Sequence, residues 1–149
     1  MGRLVSVVLV TWNSAQWLRR CLDAIARQTH GQRELIVVDN ASTDESLSLV
    51  SDATVIRNDT NRGFAAAVNQ AIRAAKGEFI QLVNPDAFLA PDYIEKLLAA
   101  FEAEDVGMAT GKLLRDDGSG IDSMGIRMTR TGRHLDVTEW RTGASPVGT

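Results

Sequence analysis

Two carboxylates stand where apolar runs break off: Asp39 closes "ELIVVD" (34–39), and Asp86 follows "EFIQLVN" (78–84) after one proline. A turn accounts for Pro85, which cannot donate to a strand ladder, but it leaves the acid beside it unexplained. An active site at the end of a sheet accounts for both. Polar residues also gather after two further apolar runs, as "TWNSA" (11–15) and "NDTNRGF" (58–64). Ligands of open α/β sheets bind outside the carboxyl ends of the strands, so these four stretches form the candidate site.

Several other chemistries lack their residues. No G-x-G-x-x-G follows the first apolar run, and no G-x-x-x-x-G-K-[ST] occurs, which argues against a dinucleotide dehydrogenase and a P-loop NTPase. A G-x-S-x-G elbow for hydrolase chemistry is also missing. His30 and His134 have no metal-ligand spacing and are expected at the surface. Cys21 falls on the apolar stripe of a predicted helix, where a free cysteine packs as a small hydrophobe. As the lone cysteine it has no partner for an internal disulfide, which fits a reducing compartment.

The elements that must position the site follow from periodicity. "LVSVVLV" (4–10), "ELIVVD" (34–39) and "EFIQLVN" (78–84) are short, nearly continuous apolar runs rich in β-branched residues, expected as parallel strands buried on both faces. "ATVIRN" (53–58) is a weaker fourth strand. A helix over 14–28, capped by Asn13 or Ser14, places Trp17, Leu18, Cys21, Leu22 and Ile25 on one face. Ser42 with Glu45 forms a capping box for a short helix over 43–51. A third helix over 63–77 carries Phe64, Ala67, Val68, Ala71, Ile72 and Ala75 on one stripe, with Gly77 as its C′ residue. Pro91 opens a fourth, 91–103, with the stripe Ile94, Leu97, Leu98 and Phe101. This alternation predicts a right-handed, doubly wound α/β domain.

Beyond about residue 105, "VGMATGKLL" (106–114) offers one or two more strands and "RDDGSG" a turn. The stretch 121–149 has no clear period, Trp140 is its large aromatic, and the tail "RTGASPVGT" reads as disordered or unfinished. The 149 residues, with 44% hydrophobic and 23% charged, suit one soluble globular domain with a core of its own. A net charge of −3 gives no footprint for nucleic acid. The apolar run 4–10 is too short for a membrane helix, which needs about 20 residues. No cleavage site follows it, so the expected location is cytoplasmic, with peripheral contact at the inner face of the membrane left open.

Four segments together, "VVLVTWNSAQWLRRCLDAI", "ELIVVDNASTDES", "NRGFAAAVNQAI" and "GEFIQLVNPDA", resemble the inverting family 2 glycosyltransferases of the GT-A fold, in the order and spacing of that family. The resemblance covers roughly 4–115 and looks most like rhamnosyltransferase-like members, in which Asn-Pro-Asp replaces the usual Asp-x-Asp; "GIRMTRTGRHLD" (125–136) adds a weaker likeness. It implies a Rossmann-like GT-A nucleotide-diphospho-sugar transferase fold, mostly parallel and flanked by helices, incomplete at the C-terminus. Residues 1–115 would be the nucleotide-sugar-binding domain, and 116–149 the start of an acceptor-side region.

The resemblance also implies roles. Asp86 would ligate Mg²⁺ or Mn²⁺, which draws its other ligands from phosphates and water, and Asn84 would orient a ligated water or the ribose. Asp39 would accept a hydrogen bond from the N–H of a uracil or thymine ring. Thr11 and Asn13 would line the base and ribose pocket; in "NRGF", Asn61 would join the nucleotide-sugar site, Gly63 would let backbone approach the ligand closely, and Arg62 would reach phosphate. Plainer readings stand beside these: a turn or N-cap for Asp86, an Asx-turn into Ser42 for Asp39, a helix cap for Asn13, an exposed cation for Arg62. Asn69, inside a helix, is expected as a buried polar partner.

Inverting transfer also needs a general base, which the family carries in a later segment. Asp116, Asp117, Asp122, Asp136 and Glu139 lack its supporting motif. The chain therefore reads as the donor-binding half of a glycosyltransferase, taking a dTDP- or UDP-linked sugar, with a lean to dTDP-rhamnose, to a carbohydrate or lipid-linked acceptor. The alternative is a non-catalytic nucleotide-sugar-binding module or fragment that lacks the base. A sugar nucleotidyltransferase would want a glycine-rich, basic loop where "TWNSA" stands.

Overall fold

A computed structural model describes residues 3–103, 105–128 and 134–136. Its elements are β1 (Val5–Thr11), α1 (Ala15–Ala26), β2 (Arg33–Asp39), a 3-10 turn (Glu45–Leu49), β3 (Thr54–Arg57), α2 (Phe64–Ala74), β4 (Phe79–Val83) and α3 (Tyr93–Ala100). Four short strands follow: β5 (Leu113–Leu114), β6 (Ile121–Ser123), β7 (Ile126–Met128) and β8 (His134–Asp136). The chain divides into two compact units, Met1–Lys96 and Leu97–Thr149.

In the first unit the α/β arrangement expected from the sequence is present. One sheet runs β3-β2-β1-β4, and all three pairings are parallel. Alternation of side chains across the sheet divides the core. Val8, Ile36 and Val38 pack with Ala67 and Ala71 of α2. Val5, Val7, Leu9 and Val37, equally buried, point to the other face, where the buried stripe of α1 is Leu18, Cys21, Ala24 and Ile25. Cys21 is free and fully buried, the core position expected of it.

Several expectations are corrected. β4 is not buried on both faces. Ile80 and Leu82 remain exposed, Leu82 by 46%, because β4 is an outer strand of the described sheet and α2 lies over β1 and β2 instead. Trp17 on α1, and Phe64 and Ile72 on α2, are exposed despite lying on the apolar stripes. The helix expected over 43–51 is a five-residue 3-10 turn capped by Asp44, whose carboxylate accepts from Ser46 N, rather than by Ser42. α2 ends at Ala74, and its C-cap Ala75 is extended rather than left-handed, so Gly77 is not a helix C′ residue. Gly77 is pressed against β1 instead: a Cβ there would lie 2.6 Å from Ser6 N and 2.9 Å from Leu4 O. Asn69 is exposed, and Gln70 takes the partly buried polar role expected of it.

In the second unit, β5 and β6 pair antiparallel across the turn expected at 115–120, closed by Arg115 N donating to Gly120 O at 3.0 Å. β7 and β8 form a second antiparallel pair. Of the 106–114 stretch, only Leu113–Leu114 is strand, and the pairing of 121–136 was not foreseen. Residues 129–133 and 137–149 lie outside the described residues, with them Glu139, Trp140 and the tail "RTGASPVGT". Among the described residues, no helix is long and apolar enough to cross a membrane.

Candidate functional site

Strand order alone points to one place. β1, β2 and β3 run outward in sequence, whereas β4 joins β1 on its other side. The order therefore reverses between β1 and β4, and a crevice opens at the carboxyl ends of the strands at such a switch point. Thr11 and Asp39 are register partners at that edge. β4 stops two residues lower, Val83 opposite Leu9, which leaves Asn84, Pro85 and Asp86 to rise beside the end of β1. With about 4.8 Å between neighbouring strands, β2 and β4 flank β1 about 10 Å apart.

Asp39 is buried to 4% exposure and Thr11 fully. Asp39 Oδ2 accepts a long bond from Ser42 N at 3.4 Å, the Asx-type contact weighed above. Asp39 Oδ1 and Thr11 Oγ1 are buried with no hydrogen-bond partner among the described residues. An unsatisfied buried polar atom costs about 1–3 kcal/mol. The two stand on adjacent strands at the sheet's carboxyl edge, where a further hydrogen-bonding partner would satisfy them.

The loops after β1 and β2 are laced together. Asn13, held at a positive φ of 50°, accepts through Oδ1 from Thr43 N at 2.8 Å and Asp44 N at 3.3 Å, and donates its own N–H to Ser42 Oγ. In return, Ser46 Oγ accepts from Ser14 N and Asp44 Oδ2 from Ala15 N. The start of α1 is thus capped from the neighbouring loop. Asn13 braces that loop and is not the helix cap, and Ser14 makes no side-chain cap bond.

Hydrogen bonds to Ser46 and Ala15 hold the Asp44 carboxyl below its usual range. The Ser6 hydroxyl and Lys76 N–H do the same for Glu34. Groups with depressed folded values stabilise above their unfolded values, 3.8 and 4.5, and lose that contribution as pH falls through the folded ones. The melting temperature is expected to hold above about pH 5 and to fall below pH 4.5, with a shallower fall in Glu34→Gln. An unchanged acid slope in that variant would remove Glu34 from the account.

The β3–α2 loop is organised by side-chain amides. Asn40 is 2% exposed. Its Nδ2 donates to Asn61 Oδ1 at 2.8 Å, and its Oδ1 accepts from Arg62 N at 3.0 Å and Asn58 Nδ2 at 3.1 Å. Asn61 Oδ1 accepts Gly63 N at 2.9 Å. Asn58 and Gln70 exchange two bonds, 2.9 and 2.8 Å. Gly63, at φ 81° and ψ 159°, stands at the N-cap of α2 without a side-chain cap, and nothing lies within 4 Å of where its Cβ would be. The glycine is required by the left-handed φ. It leaves the first N–H groups of α2 open at the carboxyl edge, beside the exposed Arg62.

The loop after β4 is strapped to α1. Ala87 N donates to Asn84 O, which makes Asn84-Pro85-Asp86-Ala87 a turn with proline at its favoured second position. Asp86 lies too far ahead of Tyr93 to cap α3, so the N-cap reading falls and the turn reading stands. The Cys21 thiol donates to Asn84 O at 3.5 Å, and the Arg20 guanidinium sits 3.8 Å from the Phe88 ring centre. Buried Gln28 donates to Ala90 O and accepts from Ile94 N, while Thr29 N donates to Pro91 O. Burial, with the Asp86 charge nearby, pushes the Cys21 thiol up to about 12. It stays protonated as a donor and is no nucleophile.

Asn84 and Asp86 are exposed. Among the described residues, no group of three or more His, Cys, Asp or Glu could hold a metal ion. A lone carboxylate fits a Mg²⁺- or Mn²⁺-type ion, which is commonly held by one or two carboxylates together with substrate phosphates. A groove of about 790 Å³ lies at the opposite edge, between α1 and the starts of β2 and β3. There the Arg33 guanidinium is taken up by the Ala26, Gln28 and His30 carbonyls. Sequence reasoning gave no individual role to Asn40, Asn58, Gln70 or Gln28, nor to Trp12, which is exposed (55%) at the carboxyl edge.

Residues 6–142 match Glycosyl transferase family 2. The putative glycosyltransferase EpsH of Bacillus subtilis is 31% identical over 127 residues, 80% of this chain and 37% of the relative. Glycosyltransferase GlyG of Streptococcus pneumoniae is 32% identical over 127 residues, 80% and 42%. The chain therefore spans about two fifths of the length of these relatives. Among solved structures, a mannosyltransferase from Pyrobaculum calidifontis, determined with GDP-Man and Mn²⁺, is 31% identical with a TM-score of 0.71, over 77% of this chain and 36% of that one. S. aureus TarS 1–349 with UDP-GlcNAc shares the fold at 22% identity and a TM-score of 0.63, over 74% and 40%.

Proposed function

The chain belongs to glycosyl transferase family 2, and on that premise we propose that its carboxyl edge binds the nucleoside diphosphate of a sugar donor for inverting transfer. The observation that carries the reading is the orphaned pair Thr11 Oγ1 and Asp39 Oδ1. A buried carboxylate oxygen selects a base ring that bears an N–H, as uracil and thymine do and cytosine does not. Thr11 would meet the same ring. Any contact of Asn13 with the ribose would go through its amide nitrogen, since its Oδ1 already serves Thr43 and Asp44. Arg62 and the open N–H groups of α2 would face the diphosphate, as helix N-termini favour anions.

Asp86 would hold the divalent cation, with Asn84 orienting a water or the ribose. When bound, Mg²⁺ or Mn²⁺ supplies charge neutralisation for the departing diphosphate. The strapping of the 84–91 loop to α1 fixes where that carboxylate stands before substrate arrives. We assign no residue of this chain as general base: Asp116, Asp117 and Asp122 are exposed, in or beside the 115–120 turn. Residues 1–115 form the donor-binding part in this reading, and 116–149 begin the acceptor side. Complete transfer, to a carbohydrate or lipid-linked acceptor at the inner face of the membrane, would need a general base and an acceptor side as well. The donor we favour is dTDP-rhamnose, with UDP-linked sugars next.

Calorimetry of the chain with dTDP, UDP and GDP, with and without Mn²⁺, tests this. We expect dTDP and UDP to bind and to bind more tightly with Mn²⁺. Guanine also bears a ring N–H, and the mannosyltransferase from Pyrobaculum calidifontis was determined with GDP-Man. GDP binding best would overturn the pyrimidine assignment, and no binding by any of the three would overturn the donor site.

A further inference from the structure

We propose that Asn40 is a positioning residue for the diphosphate side of the donor site, acting through Asn61 and the backbone of Arg62 and Gly63. The inference rests on the donor-site reading above. The Asn40 amide is the hub of the carboxyl edge. It follows Asp39 directly, its own N–H donates to Thr11 O at 2.8 Å, and its side chain reaches three residues of the β3–α2 loop. One buried residue, through its backbone N–H and its side chain, thus ties the end of β1 to the turn that opens α2.

The chemistry demands an amide at this position. Asn40 must donate to Asn61 Oδ1 and at the same time accept from Arg62 N and Asn58 Nδ2. A carboxylate of the same shape keeps the acceptor and loses the donor. It also sets a charge against the Asn61 oxygen, which would turn away and release Gly63 N. Asn61 works only as an acceptor in this network, from Asn40 Nδ2 and Gly63 N, so aspartate can replace it there. Asn58 is steadied from behind by its double bond to Gln70 on α2. Without the hub, the left-handed Gly63 turn has no fixed orientation, and the N–H groups it presents are no longer preset for an anion.

The test combines amide hydrogen exchange with ligand binding. In the unmodified chain, Arg62 and Gly63 N–H groups are expected to be protected. In Asn40→Asp both should exchange at least about tenfold faster, while the amides of β1 and β2 keep their rates. Affinity for dTDP with Mn²⁺ should fall about tenfold, and affinity for thymidine, followed by NMR titration, should change little. Asn61→Ala should free Gly63 N, and Asn61→Asp should restore its protection. Unchanged exchange at Arg62 and Gly63 in Asn40→Asp would overturn the proposal. So would an equal loss for thymidine and dTDP, or faster exchange throughout the sheet, either of which marks a general structural role. If the unmodified chain bound neither ligand, the donor-site reading itself would fail and this proposal with it.

Discussion

Gly77→Ala is expected to destabilise the protein by about 3 kcal/mol, at the upper end for an overpacked core, and to lower the melting temperature by roughly 10 °C. The added methyl group would fall 2.6 Å from Ser6 N, 2.7 Å from Ser6 Oγ and 2.9 Å from Leu4 O. The hydroxyl can rotate away; the two backbone atoms belong to and adjoin β1, which has a partner strand on each side. Relief would have to come from residues 75–78 moving outward. That motion breaks the bond from Gly77 N to Ser6 Oγ at 2.8 Å and the bond from Lys76 N to Glu34 Oε1 at 2.7 Å. Urea unfolding of Gly77→Ala, alone and with Ser6→Ala, separates the contributions: the double variant should recover only a minor part. A loss below 1 kcal/mol in the single variant would mean that the approach of this segment to β1 is looser than described.

Asp86→Ala is expected to abolish the strengthening of dTDP binding by Mn²⁺, a loss of at least about tenfold, with little change in metal-free binding. The carboxylate is exposed and sits at the third position of its turn. Its removal should cost the fold within about 0.5 kcal/mol, as surface changes do. Asp86→Glu keeps the charge on a longer arm and should recover part of the metal dependence. Mn²⁺-strengthened binding that survives in Asp86→Ala would take the metal role away from this residue. Lost metal dependence together with a lowered melting temperature would place Asp86 among the structural groups instead.

The parts of this protein legible in its sequence are those set by neighbours along the chain. β1 and β2 declared themselves as β-branched apolar runs, and Thr11 and Asp39 as the polar residues that end them. Pro85 marked where β4 stops. Periodicity identified the buried side of α1 but not its width: the stripe centres on Leu18, Cys21, Ala24 and Ile25, so Trp17 at its margin is exposed. The outer position of β4, and with it the exposure of Leu82, depends on which strands pair with which, and no local pattern records that. Asn40 was hidden because an asparagine after Asp39 reads as a turn former; its partners lie 18–22 residues away. Gly77 looked like a helix terminator because its neighbour across the sheet lies 71 residues back. β6, β7 and β8, at three residues each, are too short for periodicity to register.

The crossed capping between the first two loops also bears on how the chain acquires its structure. Ala15 and Asp44 are 29 residues apart, as are Asn13 and Ser42. The first turn of α1 therefore lacks its cap until β2 has docked beside β1 and the intervening loop has been closed, an entropic cost met before any bond rewards it. The N-terminus of α1 is thus completed by tertiary pairing rather than by its own sequence. Because α1 also carries the strap that holds the Asp86 loop, the β1–β2 pairing supports, through the capped helix, the edge where the ligand would sit.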